Sequence, residues 1–169
     1  MKTFRKLLFT AFLALSVSFV SQAQEVAHIN AQELVAQMPE FKTANEQLSK
    51  MRDSFAKDYE QMIAEFQTKA TKFQQEEQTA GDTTNQMRMQ ELQDLQNRVQ
   101  QLELNADTEL GKKQEELLKP VLEKATNAIQ KVARAKGYKY VFDSTMGGGI
   151  IMADGPDLMN DVKKELNIN

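Results

Sequence analysis

From Glu40 to about Gln78 the chain contains neither Gly nor Pro, and its apolar residues fall at Leu48, Met51, Phe55, Tyr59, Met62, Phe66, Ala70 and Phe73. The intervals of 3 and 4 predict one long amphipathic helix with a single narrow apolar stripe. Together they form an eleven-residue repeat, about 3.67 residues per turn, so the stripe runs nearly straight or drifts right-handed. A polar, Gly-containing stretch at 79–84 predicts a turn. Beyond it Leu92, Leu95, Val99, Leu102, Ala106, Leu110 and Leu117 mark a second helical stripe. Folding the chain at that turn brings Phe73 to Leu92, Ala70 to Leu95, Phe66 to Val99 and Met62 to Leu102. It also brings Tyr59 to Ala106, Phe55 to Leu110 and Leu48 to Leu117. Aromatic groups on one arm thus meet aliphatic or small ones on the other, which favours an antiparallel coiled-coil hairpin over one continuous rod. Met51 is the exception, falling opposite Lys113 and Gln114. Each arm of the hairpin would reach roughly 57 Å at 1.5 Å per residue.

The two ends of the chain follow a different pattern. Residues 25–29 have the β-branched and apolar character of a short strand, and Asn30 with Glu33 is placed to start a helix as a variant capping box. Pro39 predicts a restart, since proline is tolerated only in a first turn. Pro120 predicts a second kink, after which Val121, Ala125, Ile129 and Val132 carry a helix to Lys136, with Gly137 closing it. Tyr138, Tyr140 and Phe142 alternate as one strand face, and residues 147–149, all glycine, predict a turn into a second strand at 150–152. A last helix from Asp154-Gly-Pro156 carries Leu158, Val162 and Leu166 on one stripe.

The fold class that emerges is mostly α with a small β-containing body. The body combines residues 24–39 and 119–169, and residues 40–118 form the hairpin arm with its tip at 79–84. Three short strands bury little by themselves, so the body is expected to complete its core by oligomerising. The residues expected there are Val26, Ile29, Tyr138, Tyr140, Phe142, Ile150 and Met152. The hairpin seam is expected at Leu48, Phe55, Met62, Phe66, Phe73, Leu92, Val99, Leu102, Leu110 and Leu117. Ile63, Met87, Met89, Leu104 and Leu118 are apolar but lie off that seam. They face another protomer or a bound partner, or are scattered surface hydrophobes.

Composition and charge narrow the functional classes. The 169 residues include no Cys, which excludes a disulfide scaffold and any thiol-based zinc, redox or nucleophilic site. Lys2, Arg5 and Lys6 precede an apolar run from Leu7 to Val20 and the small-residue pattern Ser21-Gln-Ala23, the layout of a signal peptide cleaved after Ala23. The run is shorter than the roughly 20 residues a spanning helix needs. Removing the leader takes three positive charges from the 21 Lys and Arg, leaving 18 against 24 Asp and Glu, a net charge of −6. That sign argues against nucleic acid and against adsorption to an anionic lipid surface.

Little catalytic chemistry is visible. His28, the single histidine, lies on a short strand with no evident partner. The triple glycine lacks the Lys-Ser/Thr and helix start of a phosphate loop. Asp143, Asp154, Asp157 and Asp161 do not fit a calcium loop. No enzyme, metal or cofactor is expected.

Residues 26–30 (Val-Ala-His-Ile-Asn) leading to 38–41 (Met-Pro-Glu-Phe), and residues 128–133 leading to 137–143 (Gly-Tyr-Lys-Tyr-Val-Phe-Asp), resemble the Skp/OmpH family of periplasmic chaperones across nearly the whole mature chain. The resemblance implies a "jellyfish" homotrimer in which β-strands join in a central body and three hairpin arms extend from it. It further implies a periplasmic holdase that keeps unfolded outer-membrane β-barrel proteins in the cavity between the arms without ATP. An envelope adaptor that binds one folded partner by a helical face remains an alternative. In the best-known members the arm tips are basic and linked to lipopolysaccharide. Here residues 74–96 carry Glu76, Glu77, Asp82, Glu91 and Asp94 against Arg88 alone, so lipid or lipopolysaccharide binding is not expected.

Overall fold

The computed structural model describes residues 26–168. The signal peptide expected at 1–23 lies outside them. Six elements follow in order: β1 (Val26–Ile29), α1 (Ala31–Gln37), α2 (Pro39–Ala80), α3 (Asp82–Ala135), β2 (Tyr140–Asp143) and α4 (Met159–Glu165). The chain separates into two compact units, one from Pro39 to Val121 and one from the segments on either side of it.

The flanking unit is built on a parallel pair. β1 lies beside β2 with Val26 opposite Tyr140, Ala27 opposite Val141, His28 opposite Phe142 and Ile29 opposite Asp143. Alternation along the strands therefore puts Val26, His28, Tyr140 and Phe142 on one face and Ala27, Ile29 and Val141 on the other. Ala27 and Ile29 are buried with Leu34, Val35, Met38, Ala125, Ala128, Val132, Ala133, Leu158 and Val162. These residues form the core of this unit.

The other edge of β1 is taken by residues 156–158, because the His28 N–H donates to the Pro156 carbonyl and the Leu158 N–H to the His28 carbonyl. This corrects the expectation of a strand at Ile150–Met152. Those residues are irregular, and Ile151 and Met152 are exposed. The Gly148 N–H closes a tight turn on the Thr145 carbonyl, and the chain next bonds to the sheet backbone at Pro156 and Leu158. A residue pair with no strand signature, Pro156-Asp157, thereby takes the place that the β-branched residues were expected to fill.

The helix starts and stops have local causes. The Asn30 side chain accepts the Glu33 N–H at 3.0 Å, while Glu33 itself accepts from Gln37 instead of reaching back. Met38 is extended because a proline follows, and Pro39 then opens α2 at its first position. α3 runs through Pro120 and ends on Gly137, whose φ of 81° is left-handed. There the Tyr138 N–H reaches the Ala133 carbonyl and the Gly137 N–H reaches the Arg134 carbonyl, the paired bonds of a Schellman cap. α4 begins at Met159, later than the expected Asp154, and its first N–H is taken by the Asp157 carboxylate.

The turn between the long helices is tighter than the six-residue stretch 79–84. Only Gly81 leaves the helical conformation, at φ 76°, which glycine adopts without strain. The Asn85 side chain closes it from below by donating to the Glu77 carbonyl at 2.8 Å.

One polar cluster ties the two ends of the flanking unit together. The Asp143 carboxylate accepts from the Ala31 N–H, the Thr145 N–H and the Thr145 hydroxyl, while Thr145 Oγ1 receives the Gln32 N–H. Two of the unpaired donors at the start of α1 are satisfied from the far end of the chain. Burial alone would raise the Asp143 pKa, but the Thr145 hydroxyl and the Thr145 and Ala31 N–H groups outweigh it and hold the carboxyl below its ordinary value of 3.8. A carboxyl depressed in the folded state stabilises fully above its unfolded pKa and loses that contribution as pH falls through its folded value. Urea melts should therefore show Asp143→Asn less stable than the wild type at pH 6, with the difference shrinking as pH drops below about 4. A difference that stayed constant down to acid pH would remove Asp143 as its source.

Candidate functional site

The central unit runs from Pro39 to Val121 and consists of two long helices. These helices, α2 and α3, are both amphipathic. In this unit Ala44, Leu48, Leu95, Val99 and Val121 are buried. Phe55, Met62, Phe66, Phe73, Leu92, Leu102, Leu110 and Leu117 are half-buried. Tyr59 stands exposed at 38%. Met51 is half-buried, and Lys113, expected opposite it, pairs with Glu116 at 2.8 Å on its own helix.

Near Gly81 specific contacts cross between the helices. Lys69 on α2 pairs with Glu91 on α3 and also with Glu65 at 3.5 Å. Residues 69 and 91 would lie about 33 Å apart along an unbroken helix, so the chain folds back here. The hydrogen bond that Lys69 donates to the Glu91 carboxylate raises the Lys69 pKa against an opposing effect of burial. Arg88 lies 4.9 Å above the Phe73 ring and pairs with Glu76. Its Nη1 has no hydrogen-bond partner among the described residues, and the aromatic face lies against the guanidinium. That stack was not anticipated from the sequence, although Arg88 is the single cation among residues 74–96.

The off-seam apolar residues divide into two groups. Met87, Met89 and Leu104 are exposed at 61%, 73% and 63%, whereas Ile63 and Leu118 are half-buried. Met87 also borders a groove of about 320 Å³, lined besides by Glu65, Lys69, Gln90, Glu91, Asp94, Leu95 and Arg98. Asp94 makes no ion pair among the described residues, nor do Glu77 and Asp82 beside the turn.

In the flanking unit the residues expected to mediate oligomerisation also separate. Ile29 belongs to the core, and Tyr138 and Ile150 are half-buried. Val26, Tyr140, Phe142 and Met152 are exposed, and so are Met146 and Ile151, which sequence reasoning passed over. Ile151 stood between two named residues, Ile150 and Met152, and Met146 directly precedes the triple glycine. Behind the sheet a groove of about 370 Å³ runs between β2 and α3, with Ile29, Ile129, Ala133 and Val141 on its apolar walls and Arg134 among its polar ones. His28 has partners after all. Its Nε2–H donates to the Gly155 carbonyl at 3.0 Å, which leaves Nδ1 to accept from the Ser144 hydroxyl at 3.3 Å. Among the described residues no group of three or more His, Cys, Asp or Glu is placed to hold a metal ion.

Comparison with known proteins adds three findings. The model of a family described as outer membrane protein (OmpH-like) matches residues 25–166. A crystal structure of a protein named as an OmpH-like outer membrane chaperone, from Caulobacter crescentus CB15, superposes with a TM-score of 0.73. Its sequence is 14% identical, and the match covers 86% of this chain and 85% of that one, which shows a shared fold. No curated protein matches the chain at a significant level.

The half-exposure of Phe66 sets the scale for a stability test of the expected seam. Phe66→Ala should cost about 2 kcal/mol, below the 3–5 kcal/mol of a fully buried Phe. It should also leave any oligomer intact. Chemical denaturation together with light scattering measures both, and dissociation without unfolding would place the subunit contact in the central unit.

Proposed function

Because the chain belongs to the OmpH-like family, we propose that it is an ATP-independent holdase chaperone of the periplasm, non-catalytic, which keeps unfolded outer-membrane β-barrel proteins from aggregating. In this reading the leader at 1–23 exports the chain. The helices of the central unit form an antiparallel hairpin arm along their whole length. Three copies join through the flanking units, and clients are held between the three arms.

The observation that carries the proposal is the exposure of Met87, Met89 and Leu104. A two-helix unit has one strip in which to hide apolar groups, and these three residues stand outside it. Exposed, flexible thioethers suit a surface that must accept many sequences with modest affinity. The uncovered apolar face at Val26, Tyr140 and Phe142, with Ile151 beyond it, supports the trimer. Grouped exposed apolar residues on a small unit favour burial against further copies of the chain.

Light scattering on the mature chain should give three times the monomer mass, and a stable monomer would refute the trimer. In a refolding assay, substoichiometric trimer should suppress aggregation of an unfolded β-barrel protein. Replacing Met87 and Met89 together by Ser should leave helical content and mass unchanged and weaken suppression several-fold, given about 1 kcal/mol lost per apolar contact removed. Undiminished suppression would reduce the two methionines to ordinary surface residues.

A further inference from the structure

The charge of the molecule is divided between its units. Residues 39–121 carry 16 Asp and Glu against 11 Lys and Arg, while the remaining described residues carry 7 of each. The whole negative balance of the described chain therefore belongs to the central unit. It is most concentrated around Gly81, where residues 74–96 hold five carboxylates and the single cation Arg88, already paired with Glu76. Lys69 is likewise closed onto Glu65 and Glu91. Glu77, Asp82 and Asp94 are left exposed, with Met87 and Met89 between them in the sequence.

On one flank of α3 the apolar and acidic features meet. The groove beside Met87 has the buried Leu95 on its wall, Glu65, Glu91 and Asp94 as its carboxylates, and Lys69 and Arg98 as its cations. With Lys69 paired within the groove, an apolar side chain can enter against Met87 and Leu95. A neighbouring ammonium or guanidinium then finds Asp94 within reach along the same helix. Met89 offers a second apolar contact, and Glu77 and Asp82 extend the negative field around the turn.

We propose that this end of the central unit is a docking surface for unfolded polypeptide segments in which apolar residues are interspersed with Lys or Arg, and that it discriminates against acidic segments. The inference rests on the holdase reading and adds the class of client to it. Apolar contact supplies the grip, and the field supplies the choice: exposed carboxylates raise the local concentration of cationic chains and repel anionic ones. Each carboxylate's field acts over roughly 8–10 Å at moderate salt, about half the roughly 18 Å from Asp82 to Asp94 along the helix. Each therefore acts on the part of a bound segment nearest to it.

The test uses the full mature chain and three labelled twelve-residue probes of equal Leu content, with the positions between filled by Lys, Glu or Ser. Fluorescence anisotropy should show the Lys probe bound about tenfold tighter than the Glu probe in 50 mM salt, the gap closing to about twofold in 500 mM. The combined variant Glu77→Gln, Asp82→Asn, Asp94→Asn should close that gap at low salt while leaving the Ser probe's affinity and the circular dichroism unchanged. Equal binding of Lys and Glu probes, a gap indifferent to salt, or a gap that survives in the variant overturns the proposal. If the chain suppresses aggregation yet shows no preference for Lys, the selectivity alone falls. If it binds no probe and suppresses nothing, the holdase reading falls with it.

Discussion

Two helices in contact can hide only one strip of each surface, and the central unit depends on that limit. The small or branched residues Ala44, Leu48, Leu95 and Val99 are buried, while the larger Phe55, Phe66 and Phe73 stay partly in water. No third layer exists within the unit to cover them. Stability must then come from repetition along the helices and from residues with high helix propensity, which explains the Gln-, Glu-, Lys- and Leu-rich sequence and the scarcity of breakers. Every apolar side chain off the strip is left to solvent or to another molecule.

The flanking unit solves a different problem, which is to join two ends of a chain separated by more than a hundred residues. Its strands are parallel and its closing hydrogen bonds are long-range: Ala31 to Asp143, Gln32 to Thr145, His28 to Ser144 and Gly155. The start of α1 receives its caps from both ends at once, so the helix is fully capped only when the ends have met. The core this produces is well hidden but small. The sheet's other face, with Val26, Tyr140 and Phe142, remains uncovered, which is the face the proposed assembly would bury.

What the sequence discloses follows the range of the interactions. Helix existence, the restart at Pro39, the stop at Gly137 and the Asn30 cap were legible because each depends on residues within about four positions. The turn at Gly81 was legible in place but not in extent, since the long helices extend through Thr79 and Thr83 once the Asn85 side chain secures the reversal. The third strand was misplaced for the opposite reason. Ile150-Ile-Met152 has the local preference, but the free edge of β1 lies within reach of Pro156–Leu158, and nonlocal geometry overrides β-propensity. The partners of His28 and the Arg88–Phe73 stack escaped notice because no spacing rule encodes them. At the surface, periodicity separates seam from off-seam positions. It does not indicate that Ile63 and Leu118 are half-covered while Met87 and Met89 are bare.

The identity of the bare residues bears on the proposed role. Leucine has nearly the same helix propensity as methionine and is the commoner apolar residue on α3, so the helix itself does not require Met at 87 and 89. Exposed leucines beside the turn would offer a stiffer apolar patch, better suited to one complementary surface and more prone to self-association. Methionine presents comparable area on a side chain that changes shape at little cost, which lowers the penalty for meeting sequences that differ from one client to the next. The neighbouring carboxylates work in the same direction, because like-charged ends repel one another. A surface that must grip unfolded chains without gripping its own kind needs both properties, and residues 77–94 supply them within a few turns of helix.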